Sequence, residues 1–382
     1  MNKLDNLEFI KKLDCSNMLK FILDLPEQCR DAYTIGNSIN INKPAMKMKP
    51  TRVSARNSLG GILRPQLVSV AGECINNIVF AGVGGSGIGP DLVKVYLGDE
   101  LKIPVSICRN YTLPDFVGER TILFCSSYSG NTEETLSCFK QGLKRNAFII
   151  TMGSGGRLKE LSLKNGSTHI SIPPGYPPRA AIGYMSITVL GVLVKLGLIK
   201  DKENDVKELF SILTDVRDKE IGFSVSLEKN ISKQIAVKLY KRYPIIYGTA
   251  DTTEAVSNRW REQIAENGKA LSSSNTLPEM NHNEIVGWKF PEKLLKDFKA
   301  IILCDKDDHE RTKERVRITS EIIKKSGAEV MVLKKDNGGR LARIYSLLYI
   351  GDFVSFYLAI LNNIDPTPVE TIDYLKKELG KI

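Results

Sequence analysis

The chain has 382 residues, of which 42% are hydrophobic and 26% charged. At ~150 residues per domain it reads as two globular domains, not as a disordered, collagen-like or disulfide-stapled chain. Fifty-four Lys and Arg against 44 Asp and Glu give a net charge of +10, a sign that suits an acidic small molecule, nucleic acid or an anionic surface without choosing among them. Seven cysteines never fall as C-x-x-C and the three histidines do not cluster, so a disulfide framework or a metal centre is not expected, and a reducing compartment is.

The first 22 residues hold no apolar run of the kind a signal peptide needs. Residues 4–33 are predicted helical, with Leu13, Met18, Phe21, Ile22 and Leu25 at helical spacing. Residues 37–65 are rich in Asn, Lys, Pro and Gly and are expected to be irregular, so 1–75 reads as an N-terminal extension. From residue 77, β-branched runs at 78–81, 103–108, 121–125, 147–152 and 169–172 alternate with helical stretches at 90–97, 132–145 and 158–164. Such alternation predicts a parallel sheet with helices on both faces. The apolar stretch 180–199 carries Gly183, Tyr184, Ser186, Thr188 and Gly191; lacking anchors on both flanks, it reads as a core helix, not a membrane span. It closes a first domain, 76–203. After a polar boundary at 200–205, a second α/β domain at 204–382 is expected. Its helices fall near 206–216, 231–242, 253–267 and 341–361, and its strands at 244–248, 300–304 and 329–333.

Two loops carry chemistry. Ala81-Gly-Val-Gly-Gly-Ser-Gly-Ile-Gly89 lies between strand and helix, and Gly82, Gly84 and Gly87 fit G-x-G-x-x-G, which alone points to a dinucleotide. The next strand, however, ends in Arg109-Asn110 and not in the acid that would hold a ribose; Arg109 leaves only an NADP variant open. The second loop, Ser126-Ser-Tyr-Ser-Gly-Asn-Thr132, again joins an apolar strand to a helix. Hydroxyls and free N–H groups at a helix N-terminus cradle phosphate without lysine or metal. Two such loops in one sheet can converge on a single phosphate at its C-terminal edge. The plainer alternative is an N-capping Thr132 after an ordinary turn.

These G-G-S-G and S-Y-S-G-N-T loops resemble those of the sugar isomerase (SIS) domain. Pro177-Pro-Arg-Ala180, Arg261-Glu-Gln-Ile-Ala-Glu-Asn-Gly-Lys269, Leu277-Pro-Glu-Met-Asn-His-Asn283 and Ile372-Asp-Tyr-Leu-Lys376 narrow the resemblance to the bifunctional phosphoglucose/phosphomannose isomerases. It extends from about residue 77 to the C-terminus. The resemblance implies an α/β fold of two SIS-type subdomains, each a parallel sheet flanked by helices. It also implies a cytoplasmic homodimer acting on sugar phosphates, with no cofactor, metal, nucleic acid or membrane partner. By the same resemblance, Gly85, Ser86, Ser127, Ser129 and Thr132 hold the phosphate. Glu266 is the catalytic glutamate, Arg179 the active-site arginine and Lys376 the C-terminal lysine. His282 crosses into the partner's site. The threonine linked to mannose acceptance falls on Thr367 or Thr371.

The residue types suit aldose–ketose isomerisation, in which a proton moves between C1 and C2 through an enediolate. One carboxylate can remove and return it, a contribution of about 10²–10⁴-fold. An arginine's permanent charge steadies the oxyanion. A histidine and a lysine can share ring opening, since histidine titrates near neutrality. Alternatives stay open residue by residue: Glu262 lies one turn before Glu266, Lys377 adjoins Lys376, Arg179 could be a surface cation, and Glu279 could support His282. At the level of the whole chain, the alternatives are a non-catalytic phosphosugar-binding SIS protein and another SIS isomerase.

Overall fold

The computed structural model describes residues 3–41, 68–70 and 73–381; the expected irregular stretch lies, at 42–65, outside the described residues. The chain forms two compact units. The first comprises Asp31–Pro178 and Tyr184–Lys202, the second Met1–Arg30, Arg179–Gly183 and Glu203–Ile382.

A short antiparallel pair, β1 (Val68–Val70) and β2 (Glu73–Ile75), precedes the main sheet of the first unit. That sheet contains β3 (Asn77–Ala81), β4 (Val105–Cys108), β5 (Thr121–Ser126), β6 (Phe148–Gly153) and β7 (Thr168–Ser171), in the order β4-β3-β5-β6-β7. All its pairings are parallel; Val79 faces Leu123, and Cys125 faces Thr151. Every residue of β5 and β6 is buried, as their unbroken apolar runs require when helices cover both faces. Helices Gly85–Leu97, Glu133–Lys144 and Gly156–Lys164 follow β3, β5 and β6. The strand order reverses between β3 and β5, so the loops leaving their C-terminal ends diverge and open a crevice there.

In the second unit, β8 (Tyr243–Thr249), β9 (Ser273–Leu277), β10 (Phe298–Asp305) and β11 (Glu329–Lys335) form a parallel sheet in the order β11-β10-β8-β9. Counted from the first strand of each sheet, both units share the order 2-1-3-4, and the first unit adds a fifth strand. Strand β9 escaped the sequence reading because it is polar; of its residues only Leu277 is buried. Helix Glu310–Lys325 also escaped, since its core stripe is only Val316, Thr319, Ser320 and Ile323 in a highly charged segment.

Helix Arg340–Leu361 is, among the described residues, the one long and apolar enough to cross a membrane. It is a core helix: residues 341–360 are all buried, packed by helices Glu203–Val216, Ile231–Leu239 and Glu254–Glu266 of the same unit. The shorter apolar helix Ile182–Lys195 is likewise buried.

Residues 3–30 are not a separate extension. They break into helices Leu7–Leu13, Met18–Leu23 and the start of Leu25–Ser38, and they are built into the second unit. Leu4, Ile10, Met18 and Ile22 are buried. Lys233, with no exposed surface, donates to Asp5 at 2.8 Å and to the carbonyls of Phe223 and Val225. Arg217 binds Glu27, and the Tyr349 hydroxyl donates to Leu23 O. Arg179–Gly183, which the sequence reading placed within a first domain at 76–203, also joins the second unit.

Candidate active site

In the first unit the two predicted loops are joined. Gly84 (φ +55°) turns the chain from β3 into helix Gly85–Leu97. The buried Ser86 then accepts, through Oγ, the N–H of Tyr128 at 3.2 Å. Buried Ser127 accepts the Gly130 N–H at 3.0 Å and shares a 2.8 Å hydroxyl bond with Thr132. Thr132 occupies the N-cap of helix Glu133–Lys144 without capping it through its side chain, so the N–H groups of the first turn have no helical partners. Ser129 is exposed, its Oγ accepting the Asn131 N–H at 3.3 Å. A third loop supports the second: Ser154 N–H donates to Tyr128 O and Leu158 N–H to Gly130 O. Gly130 has φ +72°, and a Cβ there would sit 1.8 Å from Gly155 O, so no other residue fits.

The five residues expected at the phosphate therefore fall into two groups. Ser86, by accepting the Tyr128 N–H, ties the first loop to the second, and Ser127 braces its own loop, while Ser129 is exposed and Gly85 and Thr132 are partly exposed. Arg109, the residue that left an NADP reading open, ion-pairs with Asp91.

In the second unit, Arg179 and Glu266 come together. Arg179 is only 3% exposed. Its Nε donates to Asn267 Oδ1 at 2.6 Å, and its Nη2 donates to Pro366 O at 2.8 Å and Thr367 O at 2.7 Å. These bonds leave Nη1 facing the Glu266 carboxylate at 3.5 Å. Burial pulls the Arg179 pKa below the usual arginine value, and Glu266 opposes that pull. Glu266 ends helix Glu254–Glu266, and Asn267 is its C-cap. Lys269, in left-handed backbone at φ +51°, turns back to donate to Glu266 O and Pro366 O. Burial first, and the Arg179 charge second, push its pKa down to about 8. Glu262 pairs instead with its neighbour Arg261.

His282 and Lys376 do not join this cluster by any hydrogen bond or ion pair; both are exposed. His282 lies on a 3-10 turn, Glu279–His282. That turn is held from either side, by Asn281 on Thr319 and by Glu284 between Tyr247 and Asn275. Glu279 binds Asn283, not His282. Lys376 lies on helix Glu370–Leu379, none of whose residues is buried. Thr367 joins the arginine through its carbonyl, whereas Thr371 is exposed on the terminal helix.

Sequence reasoning missed the second unit's own crevice, between β8 and β10. There Asp308, 4% exposed, accepts from Thr249 Oγ1 at 2.8 Å, from Thr252 Oγ1 and from the Asp305 N–H at 2.9 Å. The cradle that holds hydroxyls and N–H groups around an anion is thus filled by the chain's own carboxylate. Asp-Lys-Asp-Asp at 305–308 beside a Thr-rich loop was the available signal.

Residues 228–379 match the family described as the bacterial phospho-glucose isomerase C-terminal SIS domain. The bifunctional phosphoglucose/phosphomannose isomerase of Caldicellulosiruptor bescii is 41% identical over 365 residues, covering 96% of this chain and 99% of that one. Its counterpart in Aquifex aeolicus is 38% identical over 307 residues, covering 80% and 90%. Among solved structures, a hypothetical protein of Thermus thermophilus superposes with a TM-score of 0.70 at 14% identity, covering 98% of this chain and 93% of that one. Two parallel sheets flanked by helices, together with these curated relatives, place the chain among isomerases built on two SIS-type units. Within that class, the chain belongs to the bifunctional phosphoglucose/phosphomannose isomerase family.

Proposed function

We propose that the protein interconverts glucose 6-phosphate and mannose 6-phosphate with fructose 6-phosphate, the activities in the name of its relatives. The proton moves between C1 and C2 through an enediolate, and no metal or cofactor takes part. The phosphate is held by the helix N-termini that begin at Gly85 and Thr132, with Ser129 and Thr132 donating to its oxygens and Ser86 and Ser127 fixing the turns. Glu266 removes and returns the proton. Arg179 supplies the fixed positive charge that the enediolate oxygen needs as it forms. The observation that carries these roles is the Arg179–Glu266 pair. An arginine held by three neutral acceptors keeps an undivided charge and one nitrogen for the carboxylate and substrate.

His282 and Lys376 carry the ring-opening step in this reading, His282 being supplied by a second copy in a homodimer. Their exposure, without side-chain hydrogen-bond or ion-pair partners among the described residues, supports that assignment. Of the two threonines considered for mannose acceptance, we assign Thr367, because it shares the loop that binds Arg179. We place the enzyme in the cytoplasm; Cys15, Cys29, Cys108, Cys125, Cys138 and Cys304 are free thiols. A coupled assay of the purified protein with the three sugar phosphates, with and without EDTA, tests this reading. Turnover of both aldose phosphates that survives EDTA is the expected result. Loss with EDTA and recovery with zinc would overturn the metal-free mechanism.

A further inference from the structure

Arg179 does not hold its own position. Its carbonyl accepts Arg259 Nη2 at 2.6 Å, and the same nitrogen reaches Asp352 Oδ2 at 3.1 Å. Asp352 sits in the core helix Arg340–Leu361, and its Oδ1 accepts Gln263 Nε2 at 3.0 Å. One turn further along, Ser355 Oγ accepts Asn267 Nδ2 at 3.0 Å, and Asn267 in turn holds Arg179 Nε. Arg259, Gln263, Asp352 and Ser355 are all buried. Helix Glu254–Glu266 thus presents Arg259, Gln263 and, past its end, Asn267 to one face of the core helix. Two of these three residues, Arg259 and Asn267, bond Arg179 directly.

We propose that Asp352 is a positioning residue for isomerisation. Through Arg259 it fixes the main chain of Arg179, and its charge neutralises Arg259, so that Arg179 meets Glu266 and the developing oxyanion without a second uncompensated cation behind it. This proposal rests on the roles given above to Arg179 and Glu266. The charge argument is direct. Two arginines are buried here with Glu266 and Asp352 as their carboxylates, and Arg259 acts on Arg179 repulsively. Burial raises the Asp352 pKa, while Arg259 and Gln263 pull it down. A carboxylate so deeply placed is retained where its removal leaves a charge unpaired. Neither Asp352 nor Arg259 touches Glu266, so their effect on the reaction is through Arg179.

The test compares wild type, Asp352→Asn and Ser355→Ala, using glucose 6-phosphate carrying deuterium at C2. Asp352→Asn keeps the shape and the acceptor for Gln263 but removes the charge. Its kcat is expected to fall about 10- to 100-fold, the scale of a misplaced catalytic group, with KM within about twofold and a larger deuterium isotope effect on kcat as proton transfer becomes limiting. Ser355→Ala, a smaller change that folds if Asp352→Asn does not, is expected to lower kcat severalfold with the same rise in isotope effect. A purely structural role would lower the melting temperature and the active fraction while leaving the isotope effect of the folded enzyme unchanged; that result overturns the proposal. An inactive wild type would instead refute the underlying reading of the reaction.

Discussion

The two units reach the same strand order and treat its crevice in opposite ways. Between β3 and β5 the loops are Gly-rich, buried Ser86 ties one loop to the other, buried Ser127 braces its own, and Ser129 is exposed. Between β8 and β10 the corresponding loops converge on Asp308, whose carboxylate takes two hydroxyls and an N–H. A crevice at a reversal of strand order is a geometric consequence of the fold; whether it binds an external anion depends on whether the chain has already supplied one. The second unit accordingly places its proposed chemistry elsewhere. Glu266 lies at the C-terminal end of the helix that begins beside the filled crevice, about 20 Å away along a 13-residue helix.

The comparison can be broken at three points. Glu266→Gln removes the proposed base while the first unit's loops stay as they are. A fall in kcat of about 10²–10⁴-fold with little change in KM is expected, read by steady-state assay, and substantial residual turnover would move the base to another residue. Asp308→Ala leaves Thr249, Thr252 and the Asp305 N–H without their acceptor. A loss of about 1–3 kcal/mol in denaturant unfolding is expected, partly restored in Asp308→Asn, with KM unchanged; a raised KM would show that the second crevice takes part in substrate binding. Ser129→Ala removes one outward hydroxyl from the first crevice. A roughly tenfold rise in KM is expected, as for one hydrogen bond to a charged group, and an unaltered KM would remove Ser129 from the phosphate site.

Much of this was legible in the chain because it is encoded locally. The β-branched runs before Gly82 and Ser127 gave the first sheet, since strands buried on both faces must be apolar throughout. The serine loops were legible because a glycine turn and a helix start are sequence-local. Polar β9 was not, because an edge strand is held by backbone pairing with β8 more than by side-chain burial. Nor was the membership of residues 3–30: nothing near Asp5 signals that its partner is the fully buried Lys233, more than two hundred residues away.

The sequence by itself determined the alternation of strands and helices, the position of each glycine turn and the residue types available for proton transfer and phosphate binding. Those depend on backbone freedom, periodicity and side-chain chemistry within a few positions. Only the tertiary structure decided that Arg179 leaves its sequence neighbours to join Glu266, that Asp352 stands behind it, and that Asp308 closes the second crevice. Each of these is a pairing of charged or polar groups brought together by burial, where an unpaired group is costly, and the partner's identity is set by packing and not by distance along the chain.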